Sequence, residues 1–82
     1  MLDEGREFYD KGDYGEALEF CILVRKINPD IVEEWFLRGE ILVKLERNEK
    51  GAIESFQKVL KQSEDPFYRE KAREYLQILR KD

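Results

Sequence analysis

The sequence predicts an all-α fold of two helix hairpins and one closing helix. Three observations lead there. Apolar residues recur at helical spacing in five separate stretches, and no stretch alternates apolar and polar as a half-buried strand would. Turn signals at Gly12-Asp13, Asn28-Pro29, Glu46-Arg47-Asn48 and Ser63-Glu64-Asp65 separate those stretches. The chain also repeats itself. Gly5 and Gly39 lie 34 residues apart, as do Phe8 and Leu42, and Tyr9 and Val43. Beyond the first turn the offset is 35: Ala17 matches Ala52, Leu18 Ile53, Glu19 Glu54, Val24 Val59 and Lys26 Lys61. One residue is therefore added in the second copy between Val43 and Ala52. The turn at Glu46-Arg47-Asn48 is the expected place, because turns tolerate insertion.

The elements follow in order. Leu2, Gly5, Phe8 and Tyr9 give the first helix. Gly12-Asp13 breaks it, and Asp13 with Glu16 three residues on reads as a capping box for the second. That helix carries Tyr14, Ala17, Leu18, Cys21, Ile22, Val24 and Ile27. It ends at Asn28, because a residue before proline disfavours the α conformation. Asp30 and Glu33 form another capping signature for the third helix, which carries Trp35, Phe36, Gly39, Leu42, Val43 and Leu45. Asn48 starts the fourth, with Ala52, Ile53, Phe56, Val59 and Leu60. Pro66 suits the first turn of the fifth, which carries Phe67, Ala72, Tyr75, Leu76 and Leu79. Gly5 and Gly39 each cost a helix interior about 1 kcal/mol against alanine. A close helix crossing accounts for them, with Ala17 and Ala52 expected opposite. Phe8, Leu42 and Phe56 are expected to fill the space between hairpins. Met1–Asp82 is one domain: copy one over 1–29, copy two over 30–63, the closing helix over 66–81.

Composition narrows the function classes. Eighty-two residues bury only a little over ~60% of the surface their unfolded chain exposes. The single Cys21 cannot form an internal disulfide. Histidine is absent, and with it the commonest metal ligand and the one side chain that titrates unperturbed near neutrality. Cys21 thus has no histidine to activate it as a nucleophile and lies on an apolar stripe, so a buried structural thiol is expected. Glu33-Glu34 reads as a helix start favoured by the dipole, not an acid–base pair. The phosphate-loop glycine pattern and metal-ligand spacing are absent as well. No catalytic residue, metal or cofactor is expected. The net charge of −4 argues against nucleic acid, although the chain from Pro66 onward has 3 acids and 5 bases. No basic-then-apolar leader or long apolar run suggests secretion or a membrane span; a cytoplasmic protein is expected.

These residues resemble the tetratricopeptide repeat (TPR) family, whose pattern is Trp-x2-Leu-Gly-x2-Tyr, then Ala-x3-Phe, then Pro. The second copy offers Trp35, Gly39, Leu42, Ala52 and Phe56; the first offers Gly5, Phe8, Ala17, Cys21 and Pro29. Gly12-Asp13-Tyr14 followed by Ala17-Leu18-Glu19 is similar to the family's turn and second helix. There are departures. Glu4 and Arg38 stand where leucine is usual, to face solvent or pair with each other. Cys21 replaces an aromatic. Met1 occupies the first Trp place, which shortens helix one. Pro66 comes two residues late, and the closing helix lacks both Trp and Gly.

The resemblance implies an α-solenoid with a right-handed superhelix. Its concave face, lined by the first helix of each pair, would bind a peptide segment or helix of a partner. The matching positions are Leu2, Arg6, Tyr9, Glu33, Phe36, Glu40, Val43 and Lys44, joined by Tyr75 or Arg73 from helix five. Of these, Tyr9 and Phe36 could equally be core, and Trp35 is expected in the core. The sub-type that grips a partner's C-terminal carboxylate uses asparagines on helices one and three. Here Leu2, Arg6 and Leu37 stand there, so no such clamp is expected. Two alternatives remain: a chain that pairs with itself through Leu2 and Tyr9 as a homodimer, and an isolated fragment or designed repeat with no partner of its own.

Overall fold

The computed structural model describes residues 3–46 and 48–80. They form five α-helices: α1 Asp3–Asp10, α2 Tyr14–Ile27, α3 Val32–Leu45, α4 Glu49–Gln62 and α5 Pro66–Leu79. No strand occurs among the described residues. Each helix packs on the next in sequence, and α1 also touches α3.

The helix ends sort the capping signals. Asn48 caps α4, its side chain accepting from the Gly51 N–H at 3.0 Å. Asp65 caps α5 by accepting from the Phe67 N–H at 2.9 Å, with Pro66 in the first turn. The other two signatures fail. Asp13 precedes α2 but makes no side-chain cap bond. The residue before α3 is Ile31, not Asp30. Asp30 lies one residue too early because Asn28 captures its N–H at 3.0 Å in a local turn that delays the helix.

Three residues connect each hairpin, Lys11–Asp13 and Glu46–Asn48. The added residue of the second copy thus lengthens α3 by Leu45 rather than enlarging the turn. The first turn uses glycine for its left-handed position, Gly12 at φ 84°. The second places Glu46 at φ 54° and Asn48 at φ 53°, positions a glycine would take with less strain.

Two apolar clusters flank α3. On one side Leu37 and Ile41 pack with Ala17 and Cys21, bordered by Phe8, Tyr9, Tyr14, Leu18 and Leu45. On the other, Phe36 packs with Phe56, Val59, Ala72 and Leu76. Leu42, 4% exposed, is also buried on α3.

The glycines allow close approach, though not to the alanines. A Cβ on Gly39 would lie 2.6 Å from Phe56 Cζ. On Gly5 it would lie 2.9 Å from Leu37 Cδ2 and 3.0 Å from Phe20 Cδ1. The large side chains reach the glycine notches, while Ala17 and Ala52 are simply buried. In the first copy the ring comes from Phe20, one residue ahead of Cys21, which leaves Cys21 free to be small.

Three further expectations need correction. Ile22 and Ile27, assigned to the apolar stripe of α2, are 38% and 85% exposed. Helix α2 turns Ala17 and Cys21 inward, which carries those two residues round to solvent. Glu34 does not sit on an exposed helix start; it is 1% exposed, within reach of the Cys21 thiol. Arg38 does not pair with Glu4. It reaches α4 instead, donating to the Gly51 carbonyl at 3.0 Å and to Ser55 Oγ.

Candidate partner-binding face

Helices α1, α3 and α5 bring four of the expected residues together, Arg6, Tyr9, Glu40 and Tyr75, and add one other. Arg6 Nη2 lies 2.9 Å from Glu40 Oε1. The Tyr75 hydroxyl donates to Glu40 Oε2 at 3.4 Å. One carboxylate on α3 therefore links a guanidinium on α1 to a phenol on α5. The Arg6 guanidinium also stands 5.2 Å from the centre of the Tyr9 ring, a cation–π contact one helical turn along α1.

Tyr68 completes the group. It packs edge-on against Phe36 with ring centres 5.2 Å apart, and Tyr75 does the same at 6.1 Å. Beneath them Phe56 stacks on Tyr75 at 4.5 Å, the planes 4° apart. Phe36 is thus the floor of this face and belongs to the core, at 4% exposure.

Electrostatics keep the three phenols protonated. Burial, then the Glu40 carboxylate, pushes the Tyr9 hydroxyl up to about 12. Burial and Glu40 raise Tyr75, while burial and Glu33 raise Tyr68. Each remains a hydrogen-bond donor across the ordinary pH range. Glu40 Oε1 is buried and has no aligned hydrogen-bond donor, so its approach to Arg6 is a charge contact that leaves an acceptor unsatisfied.

The remaining expected residues take different places. Glu33 and Lys44 are exposed at the two ends of α3. Val43 is half-buried against the core and borders an open depression of about 490 Å³, with Leu42, Ala52 and Leu79. Leu2 lies outside the described residues. Arg73 points to solvent, so Tyr75 is the α5 contribution. Tyr68 was missed from sequence. Its signal was the seven-residue spacing to Tyr75, two turns along one face of α5.

Cys21 is fully buried; desolvation, then the Glu34 carboxylate, pushes its thiol up to about 12, away from thiolate reactivity. Among the described residues no group of three or more Cys, Asp and Glu side chains could hold a metal ion. No described helix is long and apolar enough to cross a membrane. Comparison with models of protein families, with curated proteins and with solved structures finds no match to this chain.

Proposed function

We propose that this chain is a TPR-like α-solenoid that binds a peptide segment or helix of a partner protein on the face built by α1, α3 and α5, without catalysis or cofactor. One observation carries the reading: Arg6, Tyr9, Glu40, Tyr68 and Tyr75 come from three non-consecutive helices and converge around one carboxylate. Tyrosine and arginine dominate binding energy at protein interfaces because they combine apolar area with a polar tip. The repeat of 34–35 residues, the serial packing of the helices and the contact of α1 with α3 support the solenoid.

Affinity capture from an extract of the source cells tests it, with the wild-type chain beside Arg6→Glu, Tyr9→Ala and Lys44→Glu. A specific partner lost with Tyr9→Ala and Arg6→Glu is expected. Equal recovery by all four proteins overturns the reading. Phe36 is unsuitable as a probe, since truncating a core ring unfolds more than it informs.

Self-association is the second reading, favoured by Leu23 and Ile27 on α2 and Phe67 and Ile78 on α5, which are 59%, 85%, 59% and 69% exposed. Repeat architectures need about three units for stability, so a chain with fewer gains by covering its open ends. Light scattering over a dilution series decides; a monomer at every concentration removes it.

A further inference from the structure

The back of α3 carries a second constellation. Trp35 and Arg38 lie on the side of α3 opposite Glu33, Phe36 and Glu40, by the 100° advance per residue of a helix. Three cations from three helices surround the Trp35 ring. The Arg25 guanidinium of α2 stands 4.8 Å from the ring centre, Arg38 of α3 5.7 Å, and Lys58 Nζ of α4 5.5 Å. The indole is itself fixed, because its N–H donates to the Pro29 carbonyl.

These charges are poorly balanced from within. Glu54 approaches Arg38 only to 3.7 Å, and Asp30 approaches Lys58 only to 4.0 Å; both acids are about two-thirds exposed, at 68% and 67%. Solvent screens pairs of that kind. No acid among the described residues pairs with Arg25, whose Nε is buried without an acceptor. Burial and the neighbouring Arg25 both depress the pKa of Arg38, as expected where like charges are crowded. This local excess of positive charge stands in a chain of net charge −4.

The cluster is not part of the repeat pattern. The first copy has Met1 and Glu4 at the places of Trp35 and Arg38, and Leu23 at that of Lys58; the second has Leu60 at that of Arg25. Gly5 and Gly39, and Ala17 and Ala52, match between the copies, whereas these four positions do not.

We propose that Arg25, Arg38 and Lys58 around Trp35 form a binding site for a phosphate group, either free or carried on a peptide side chain. A single planar carboxylate is satisfied by one guanidinium fork, whereas a tetrahedral dianion has enough acceptor oxygens for donors arriving from three helices. Arg38 Nη1 is already committed to Gly51 and Ser55. Arg25 and Lys58 therefore supply the uncommitted charge.

Trp35 is the only tryptophan, so its fluorescence and its one indole N–H resonance report on this site alone. Inorganic phosphate is titrated at constant ionic strength, with chloride as the balancing anion and far-UV circular dichroism confirming the fold. A saturable change in Trp35 emission is expected. Arg25→Gln and Lys58→Gln should each weaken it about tenfold, the loss of one charge-assisted hydrogen bond. Lys11→Gln, exposed in the first hairpin turn, should leave it unchanged. If Arg25→Gln does not fold, Lys58→Gln and the indole resonance carry the test, since Lys58 makes only a long ion pair. A short phosphoserine peptide and its serine form identify the source. Tighter binding of the phosphoserine peptide than of inorganic phosphate indicates a phosphorylated partner, and equal binding a free ion. Three results overturn the assignment: a response that chloride reproduces, acetate binding as tightly as phosphate, or variants indistinguishable from wild type. None of these arms touches the α1–α3–α5 face, so the two proposals fail separately.

Discussion

The two hairpins share a skeleton and differ in what fills it. At the offset of 35, Cys21 of α2 and Phe56 of α4 occupy the same place, and both are fully buried. In the second hairpin a phenyl ring fills the space and packs against Phe36 and Tyr75, with Tyr68 edge-on to Phe36. In the first, a small thiol takes that place and the ring comes from Phe20, and beside the thiol sits the buried carboxyl of Glu34. The aromatic side is dense and apolar. The thiol side carries a buried carboxyl that hydrogen-bonds to Cys21 and leaves Oε1 without a partner. One repeat pattern can thus support a hydrophobic core in one copy and a titratable one in the other.

Substitutions can break that contrast, the most disruptive first. Phe56→Ala should cost about 3–5 kcal/mol, enough at this size to lower Tm by well over 10 °C at roughly 4–8 °C per kcal/mol. Cys21→Ala should cost much less, because it removes one sulfur atom. Comparable losses by thermal denaturation would show that the hairpins do not differ as described. Gly39→Ala comes next. Its Cβ would meet three atoms of the Phe56 ring at 2.6–2.8 Å, and a stacked ring cannot yield easily. A net loss of about 1–2 kcal/mol is expected, the overpacking cost outweighing the helix-propensity gain. Gly5→Ala should cost less, because its nearest atoms, Leu37 Cδ2 at 2.9 Å and Phe20 Cδ1 at 3.0 Å, stand farther off than the Phe56 ring does from Gly39.

The Glu34 carboxyl sharpens the comparison through pH. Burial is the largest cause raising its pKa, opposed by a hydrogen bond with Cys21. The folded chain therefore holds this proton more tightly than the unfolded chain. Its contribution to stability is present below the ordinary carboxylate pKa of about 4.3 and is lost as pH rises through the raised value. Relative to wild type, Glu34→Gln should gain stability from mildly acidic to neutral pH, the two converging in acid. Urea unfolding at pH 4 and pH 7 measures this, and a difference that does not change with pH would mean that Glu34 is not buried as a titrating group.

The smallest effect belongs to the face between the hairpins. Arg6 is 41% exposed, so its pair with Glu40 should contribute only about 0.2–1 kcal/mol in a double-mutant cycle. Arg6→Ala should leave stability nearly intact while weakening partner binding. A stability loss above ~2 kcal/mol would make Arg6 a structural residue instead.

Much of this was legible in sequence. Five helices, their breaks at Asn28, Ser63-Glu64-Asp65 and both hairpin turns, the start of α4 at Asn48 and Pro66 in the first turn of α5 follow from spacing and local chemistry. Arg6, Tyr9 and Glu40 were identified as facing one side, and they do meet. Failures occurred where two elements compete for a residue. Tyr68 could not be placed before the rotation of α5 against α3 was known. Phe36 has the spacing of an exposed position and of a core position alike, and only the ring stack on Phe56 and Tyr75 decides for core. Trp35, expected in the core, packs half-buried at the edge of the Phe36 cluster, with Arg25 and Lys58 over its ring, and sequence spacing carries no information on that convergence.

By itself, then, the sequence determined the local structure: where helices start and stop, that they come in two similar pairs, and that small residues at Gly5 and Gly39 allow close approach. These are properties of neighbours in the chain, with periods and caps a few residues long. The tertiary structure alone decided what fills each glycine notch, that Glu34 is buried while Ile27 is exposed, and that cations from three helices surround Trp35. Each of those depends on the rotation of one helix about its own axis relative to another. A change of one residue step, 100°, exchanges an inward position for an outward one, and no local pattern fixes that angle.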